Sequence, residues 1–124
     1  MPLRERDWAT TGARLALLQQ VDLLARSLEP EELADLAGRM TVRDFRPGEQ
    51  FIREGEPGRS MFVLAEGVAE VVMQPEAGGP AAPVARLHPG QPVGEMALLT
   101  GAPHAASARA LTELVAFEIA SRHI

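Results

Sequence analysis

A chain of 124 residues, 46% hydrophobic and 23% charged, is long enough to form one domain with a modest core. Its formal net charge of -5 argues against a nucleic-acid-binding surface, which needs clustered Lys and Arg side chains. The sequence has no cysteine, its apolar runs are shorter than a membrane span requires, and its first residues lack the apolar core of a signal peptide. We therefore expect a cytoplasmic protein, or the cytoplasmic part of a larger one, without a membrane segment in this chain.

Residues 1–30 are predicted to form a helical lead to the domain. After Thr10-Thr11-Gly12, which is typical of a loop, the pattern from Ala13 to Leu28 is helical. Its apolar residues recur at spacings that place them on one face: Leu17, Val21, Leu24 and Leu28. A second helix is predicted from Pro30, with acidic residues in its first turn and an end between Gly38 and Met40.

After Met40 the hydrophobic period becomes that of short strands. Such runs are predicted at Thr41 to Phe45, Gln50 to Glu54, Met61 to Ala65, Val68 to Gln74, Pro83 to His88, Ala105 to Leu111 and Leu114 to Ala120. Turn sequences such as Pro47-Gly48 and Pro89-Gly90 separate them. Short strands separated by such turns predict a mainly β fold, a small antiparallel β-barrel or jelly roll, over residues 31–124.

The segment from Val93 to Arg109 differs from the rest of the β region. Gly94 allows close approach of its backbone to a ligand, and Glu95 to Thr100 are good helix formers that Gly101 terminates. A one-turn helix is too short to be stable by itself. Its free N–H groups and its dipole favour an anion, so we interpret the segment as a phosphate cradle.

An enzymatic site receives less support than a binding site. The three histidines, His88, His104 and His123, lack the spacing of a cupin-type metal site. No Gly-x-Ser-x-Gly motif is present to carry a catalytic serine. We therefore predict a binding module that is not an enzyme, with no metal and no cofactor other than its ligand.

Two segments resemble the cyclic nucleotide-binding domains, the family that includes the effector domains of the CAP family. The stretch from Arg46 to Gly67 is similar to the first half of such a domain, and Gly90 to Ala110 resembles its phosphate-binding cassette. The helices before the strands are also similar, so the resemblance covers roughly residues 17–120. It implies a double-stranded β-helix with a one-turn helix in the cassette.

The resemblance also implies the ligand contacts. The backbone amides of Gly94, Glu95 and the following residues Met96 and Ala97 would hold the cyclic phosphate, and the Glu95 carboxylate would accept a hydrogen bond from the ribose 2′-OH. Two further residues near the phosphate and base would be Ala105 and Ser107. Residues implied to line the sugar and base side are Val72, Leu98 and Leu99.

One position departs from the family pattern, because His104 stands where an Arg usually pairs with the phosphate. Histidine cannot offer two parallel donors, although a bound anion would favour its protonation. Losing one charge-assisted hydrogen bond costs about 1.5–3 kcal/mol, which is roughly tenfold to a few hundredfold in affinity. By strand alternation Arg109 shares the face of Ser107, so it either compensates or is an ordinary surface residue.

The resemblance implies a regulatory module that binds a cyclic nucleotide and controls an attached or partner protein. Of the two candidate nucleotides, we favour cAMP over cGMP. The alternative is a degenerate domain that serves in assembly or protein contacts and binds no nucleotide. The expected effector is a channel, a kinase or a transcription factor, although the last would need a helix-turn-helix after the barrel.

The sequence also bears on the source and the output of the module. Leu98 to Pro103 is similar to cassettes on bacterial ion channels of the small mechanosensitive type, which indicates a bacterial source. The family usually has a C-terminal helix that caps the base, whereas this chain stops at Ile124. We expect either that the cap is missing from this chain or that the output runs through residues 1–30.

Overall fold

The computed structural model of the chain describes residues 11–75 and 78–121. Three helices precede the strands: α1 (Thr11–Leu18), α2 (Asp22–Ser27) and α3 (Pro30–Arg39). Eight strands follow, with helix α4 (Glu95–Thr100) between the sixth and the seventh. The strands are β1 (Thr41–Phe45), β2 (Gln50–Ile52), β3 (Ser60–Glu66), β4 (Ala69–Met73), β5 (Ala82–Leu87), β6 (Pro92–Val93), β7 (Ser107–Ala110) and β8 (Leu114–Ala120).

The helical lead differs from the structure that the sequence predicts. Its residues 1–10 lie outside the described residues. The prediction of a single helix from Ala13 to Leu28 is wrong. Helix α1 ends at Leu18, and Val21 has an extended backbone (φ -92°, ψ 99°) before α2 begins. Thr11 and Gly12 belong to α1 rather than to a loop. Leu18, which lies outside the predicted apolar face, is fully buried. The apolar spacing that predicts one helix thus continues across a break in the backbone.

Helix α3 follows its predicted bounds. It begins at Pro30, and Glu29 and Glu32 form a capping box in which the Glu29 N–H donates to Glu32 Oε1 over 2.9 Å. It ends at Arg39, where the extended backbone of Met40 leads into β1. None of the helices in the described part of the chain has the length and apolar character needed to cross a bilayer.

The strands form two four-stranded antiparallel sheets. The first has the order β1-β8-β3-β6 and the second the order β2-β7-β4-β5. The mainly β, jelly-roll character is confirmed, and β1 and β8 have their predicted bounds. Strand β6 was not predicted, because two residues that include a proline show no alternation to detect.

The two central strands of the first sheet, β3 and β8, are buried on both faces, which explains why they are almost continuously apolar. Alternate residues such as Met61 and Phe117 pack against the helices, in one cluster with Leu18 and Leu36. The intervening residues pack between the sheets, in a second cluster of Phe45, Ile52, Phe62, Leu64, Ala69, Ala108, Ala110, Leu114 and Ala116. Two layers of core therefore fix the first sheet, and α4 lies at its β6 edge.

Candidate functional site

A cavity of about 280 Å³ opens beside α4, and we call it the cassette cavity. Its lining comes from both sheets and from the segment that joins β6 to β7. The lining residues are Ile52, Val71, Leu87, Pro92, Val93, Gly94, Glu95, Met96, Ala97, His104, Ala105, Ala106 and Ser107. The volume is just below the usual range of small-molecule pockets, which is about 300–1,000 Å³.

Gly94 sits in the wall of this cavity in a conformation that requires glycine. Its φ of +84° and ψ of 5° are left-handed, and it caps the start of α4. A methyl group added at Gly94 would lie 3.0 Å from Ile52 Cδ1 and 3.1 Å from His104 Cε1. A side chain here would therefore strain the backbone and push against the cavity wall.

Helix α4 has the bounds that the sequence predicts, from Glu95 to Thr100. It ends at Gly101, which is also left-handed (φ +76°) and donates its N–H to Ala97 O over 2.9 Å. Ala97 is buried against Gly58, where an added methyl group would lie 2.5 Å from Ala97 Cβ. This close approach positions the helix over the cavity.

The Glu95 carboxylate is the one acidic group in the lining of the cassette cavity. Its side chain is half-buried, and no hydrogen bond or ion pair joins it to another described residue. The thirteen lining residues include no Lys and no Arg. Glu95 is therefore available to accept a hydrogen bond from a neutral donor such as a sugar hydroxyl.

His104 is held in place through its backbone. Its N–H donates to Glu56 O and its carbonyl accepts from the Gly55 N–H, both over 2.9 Å. An isolated antiparallel bridge between Pro57 and Pro103 continues this pairing. The turn after β2 therefore fixes the imidazole next to Gly94.

Ser107 and Arg109 both have hydrogen-bond partners within the fold. Ser107 reaches the cavity lining, but its Oγ accepts a hydrogen bond from the Glu54 N–H over 2.9 Å. Arg109 lies outside the lining and donates to the buried carboxylate of Glu70 over 2.6 Å. Arg109 thus neutralises Glu70 and does not supply the cation that the cavity lacks.

The structure brings most of the predicted contact residues together. The cavity lining contains Gly94, Glu95, Met96, Ala97, His104, Ala105 and Ser107, but not Val72, Leu98 or Leu99. Leu98 packs toward the helical core and Leu99 is 55% exposed, so neither side chain faces the cavity. Their places are taken by residues that the sequence did not single out: Ile52, Val71, Leu87, Pro92, Val93 and Ala106.

Val71, rather than the predicted Val72, lines the cassette cavity, although Val72 is also buried (5% exposed). Val71 pairs with Ala108 of β7, and Val72 pairs with Ser107. The pairing of β4 with β5 shifts register between Val71 and Val72. Local sequence does not reveal such a register shift, so it does not distinguish which of two neighbouring valines reaches the cavity.

A second cavity, of about 360 Å³, lies on the other side of His104, and we call it the edge cleft. It shares His104 and Ile52 with the cassette cavity. Its charged residues are Arg43, Glu49, Arg53, Glu56, Arg59 and Glu118. Arg43 donates to Glu118 over 2.6 Å, and Arg53 lies 3.9 Å from Glu56, so much of this charge is internally compensated.

Neither cavity offers a recognisable metal site. Within residues 11–75 and 78–121, no three His, Cys, Asp or Glu side chains are grouped so that they could hold a metal ion. His123, one of the three histidines weighed for that role, lies outside the described residues. The absence of metal and of other cofactors stays a prediction.

The cavity and its place in the jelly roll agree with the comparison with known families. Residues 42–124 match the model of the cyclic nucleotide-binding domain. The chain belongs to this family. Its members are regulatory binding domains rather than catalytic ones, and the predicted resemblance is confirmed.

The relatives are a regulatory subunit of one protein kinase and a second protein kinase. The chain is 41% identical over 99 residues to a cAMP-dependent protein kinase regulatory subunit of Emericella nidulans, covering 80% of this chain and 23% of that protein. It is 32% identical over 108 residues to a cGMP-dependent protein kinase of Caenorhabditis elegans, covering 85% of this chain and 13% of that one. The chain therefore spans about a quarter or less of these relatives. Both organisms are eukaryotes, so the expected bacterial source is not supported.

A solved structure gives the same architecture. The regulatory subunit of a cAMP-independent protein kinase A from Trypanosoma brucei, a triple-substitution variant bound to cAMP, superposes with a TM-score of 0.80. It is 27% identical, and the match covers 91% of this chain and 41% of that one. A cyclic nucleotide-binding regulatory module is thus the general function of this chain.

Proposed function

We propose that this chain binds cAMP, in preference to cGMP, in the cassette cavity, and thereby controls an attached or partner protein kinase in the cytoplasm. The observation that carries the proposal is the Gly94–Glu95 cavity wall in a chain 41% identical to a cAMP-dependent kinase regulatory subunit. The kinase comes from the names of the relatives, of which this chain covers a small part. The cyclic nucleotide is the only small molecule that we assign to the site.

The residues of α4 supply the contacts of this proposal. The Leu98 N–H donates to Gly94 O over 3.2 Å, so the amides of Glu95, Met96 and Ala97 precede the first bond of the helix. These donors suit the phosphate oxygens, while the Glu95 carboxylate accepts from the ribose 2′-OH. The apolar side chains of Val71, Leu87 and Val93 then contact the sugar and base.

Calorimetric titration with cAMP and cGMP tests the proposal. We expect heat of binding with both nucleotides and a tighter complex with cAMP. Glu95→Ala removes an ionised acceptor, so affinity should fall about tenfold to a hundredfold. Because that carboxylate has no partner among the described residues, the melting temperature should stay almost unchanged.

Glu113→Ala is the matched control, since Glu113 is an exposed acid in the turn before β8 and lies outside the cavity. This variant should bind like the wild type. If Glu95→Ala and Glu113→Ala bind equally well, the proposed role of Glu95 is contradicted.

A second candidate is a module that keeps the fold for protein contacts and binds no nucleotide. One observation favours it: the lining of the cassette cavity contains no Lys and no Arg to neutralise a phosphate. The same titration decides between the two. No heat and no rise in melting temperature with millimolar cAMP or cGMP would favour this second candidate.

A further inference from the structure

His104 forms part of the wall between the two cavities. It lines both of them, and its ring carbon Cε1 lies 3.1 Å from the point that a methyl group on Gly94 would occupy. Its backbone is paired on both sides with the turn that contains Gly55 and Glu56. The imidazole is therefore placed beside Gly94 and α4 by main-chain contacts that do not depend on its charge.

The cassette cavity has few groups that respond to the charge of a ligand. Glu95 and His104 are its two ionisable residues. The imidazole has no hydrogen-bond partner among the described residues, so its ring nitrogens are free to bind an anion. A cyclic nucleotide carries one negative charge on its phosphodiester, and Glu95 already contributes another.

The charged groups on the other side of His104 are those of the edge cleft. They are three arginines and three glutamates: Arg43, Arg53, Arg59, Glu49, Glu56 and Glu118. Arginine is permanently charged, and a glutamate ordinarily ionises well below neutral pH. Histidine is the residue that changes charge between about pH 5 and 8. His104 is the one histidine in the two linings together.

We infer that cyclic nucleotide binding is coupled to proton uptake by His104, so that the affinity of the site increases as the pH falls. This inference rests on the proposed function. The bound phosphodiester stabilises the imidazolium, so binding to the neutral imidazole is accompanied by uptake of a proton from solvent. At low pH the proton is already present and affinity is greatest. The module then reports cyclic nucleotide and pH together.

Titration of cAMP across about pH 5 to 8 tests the coupling, with adenosine as the uncharged probe. We expect cAMP affinity to rise roughly tenfold from the highest to the lowest pH, which corresponds to the contribution of one charge-assisted hydrogen bond. Adenosine has no phosphate, so its affinity should not follow the same curve. Calorimetry near neutral pH, in two buffers with different ionisation heats, should show proton uptake with cAMP only.

Three variants assign the proton to His104. His104→Arg carries a permanent charge and should bind cAMP more tightly with little pH dependence. His104→Gln cannot be protonated and should bind weakly and equally across the range. His88→Gln removes an exposed histidine outside both cavities and should behave like the wild type.

The outcomes separate this inference from the proposed function. If neither the wild type nor His104→Arg binds cAMP at any pH, the proposed function fails. If the wild type binds cAMP with the same affinity throughout, or His104→Gln keeps the wild-type pH dependence, proton coupling through His104 is wrong while nucleotide binding stands.

Discussion

The two cavities that meet at His104 use charge in opposite ways. The edge cleft contains three arginines and three glutamates, including the Arg43–Glu118 pair at 2.6 Å. The cassette cavity contains one acid, Glu95, whose carboxylate has no partner among the described residues. The edge cleft thus contains many charges that offset one another, whereas the cassette cavity contains one carboxylate whose charge is not offset.

This difference shows why charge density alone does not locate the ligand site. Exposed ion pairs satisfy one another and contribute at most about 1 kcal/mol each. A half-buried carboxylate without a partner, beside a left-handed glycine and a free imidazole, is an arrangement that a ligand completes. We therefore expect substitutions around the cassette cavity to change affinity, and substitutions in the edge cleft to change almost nothing.

The largest effect is expected for Gly94→Ala. Its φ of +84° strains any other residue by about 1–2 kcal/mol, and the new methyl group would meet Ile52 and His104 at 3.0 and 3.1 Å. We expect cAMP affinity to fall more than about a hundredfold, because the displaced wall carries the amides and Glu95. Thermal melting and calorimetry measure both effects.

Gly101→Ala is the control for Gly94→Ala. Gly101 has a similar φ of +76°, but no atom lies within 4 Å of the added methyl group. It should lose comparable stability from backbone strain and little affinity. Equal losses of affinity in both variants would contradict the assignment of Gly94 to the cavity wall.

Gly58→Ala should have the next largest effect. The added methyl group would lie 2.5 Å from Ala97 Cβ, so α4 must move away from the turn after β2. Overpacking of this kind costs about 1–3 kcal/mol of folding stability, and we expect cAMP affinity to fall with it. Gly38→Ala in α3, where nothing lies within 4 Å, should be neutral or stabilising.

Arg109→Met tests whether the Glu70 pair belongs to the fold or to the site. Glu70 is 8% exposed, and removing its partner leaves a buried carboxylate without a cation. We expect a loss of about 1–3 kcal/mol in folding stability with cAMP affinity unchanged. A selective loss of affinity, without a change in chemical denaturation, would show instead that Arg109 compensates for His104.

The smallest effect is expected in the edge cleft itself. Arg53 is exposed, and its ion pair with Glu56 at 3.9 Å is a surface pair that contributes little to stability. Arg53→Gln should change stability by less than about 0.5 kcal/mol and affinity by less than about twofold. A tenfold loss of cAMP affinity would place the nucleotide on this side of His104.

Local signals in the sequence are enough to predict several elements of the fold. Helix α4 is bounded by two glycines, and both adopt the left-handed conformation that the prediction needs. The single helix predicted from Ala13 to Leu28 is wrong because Val21 adopts an extended backbone between two shorter helices, which the apolar spacing does not reveal. Strand β6 has its partner in β3, which no local pattern identifies.

The candidate site likewise contains residues that the sequence predicts and residues that it does not. Gly94, Glu95 and His104 are predicted together because a contiguous motif contains them, and the structure brings them to one cavity. The cavity residues on β2, β4 and β5 are distant in sequence, and Val71 is distinguished from Val72 only by the register of β4. The pairing of Arg109 with Glu70 likewise needs the alignment of β7 with β4.

The location of the nucleotide is tested most directly by backbone amide NMR shifts during titration with cAMP. Binding in the cassette cavity predicts the largest changes at Gly94, Glu95, Met96 and Ala97, with smaller changes along β4 and β7. The amides of Arg43 and Glu49 in the edge cleft should hardly move. Changes concentrated at Arg43 and Glu49, with α4 unaffected, would contradict the assignment of the cassette cavity as the cyclic nucleotide site.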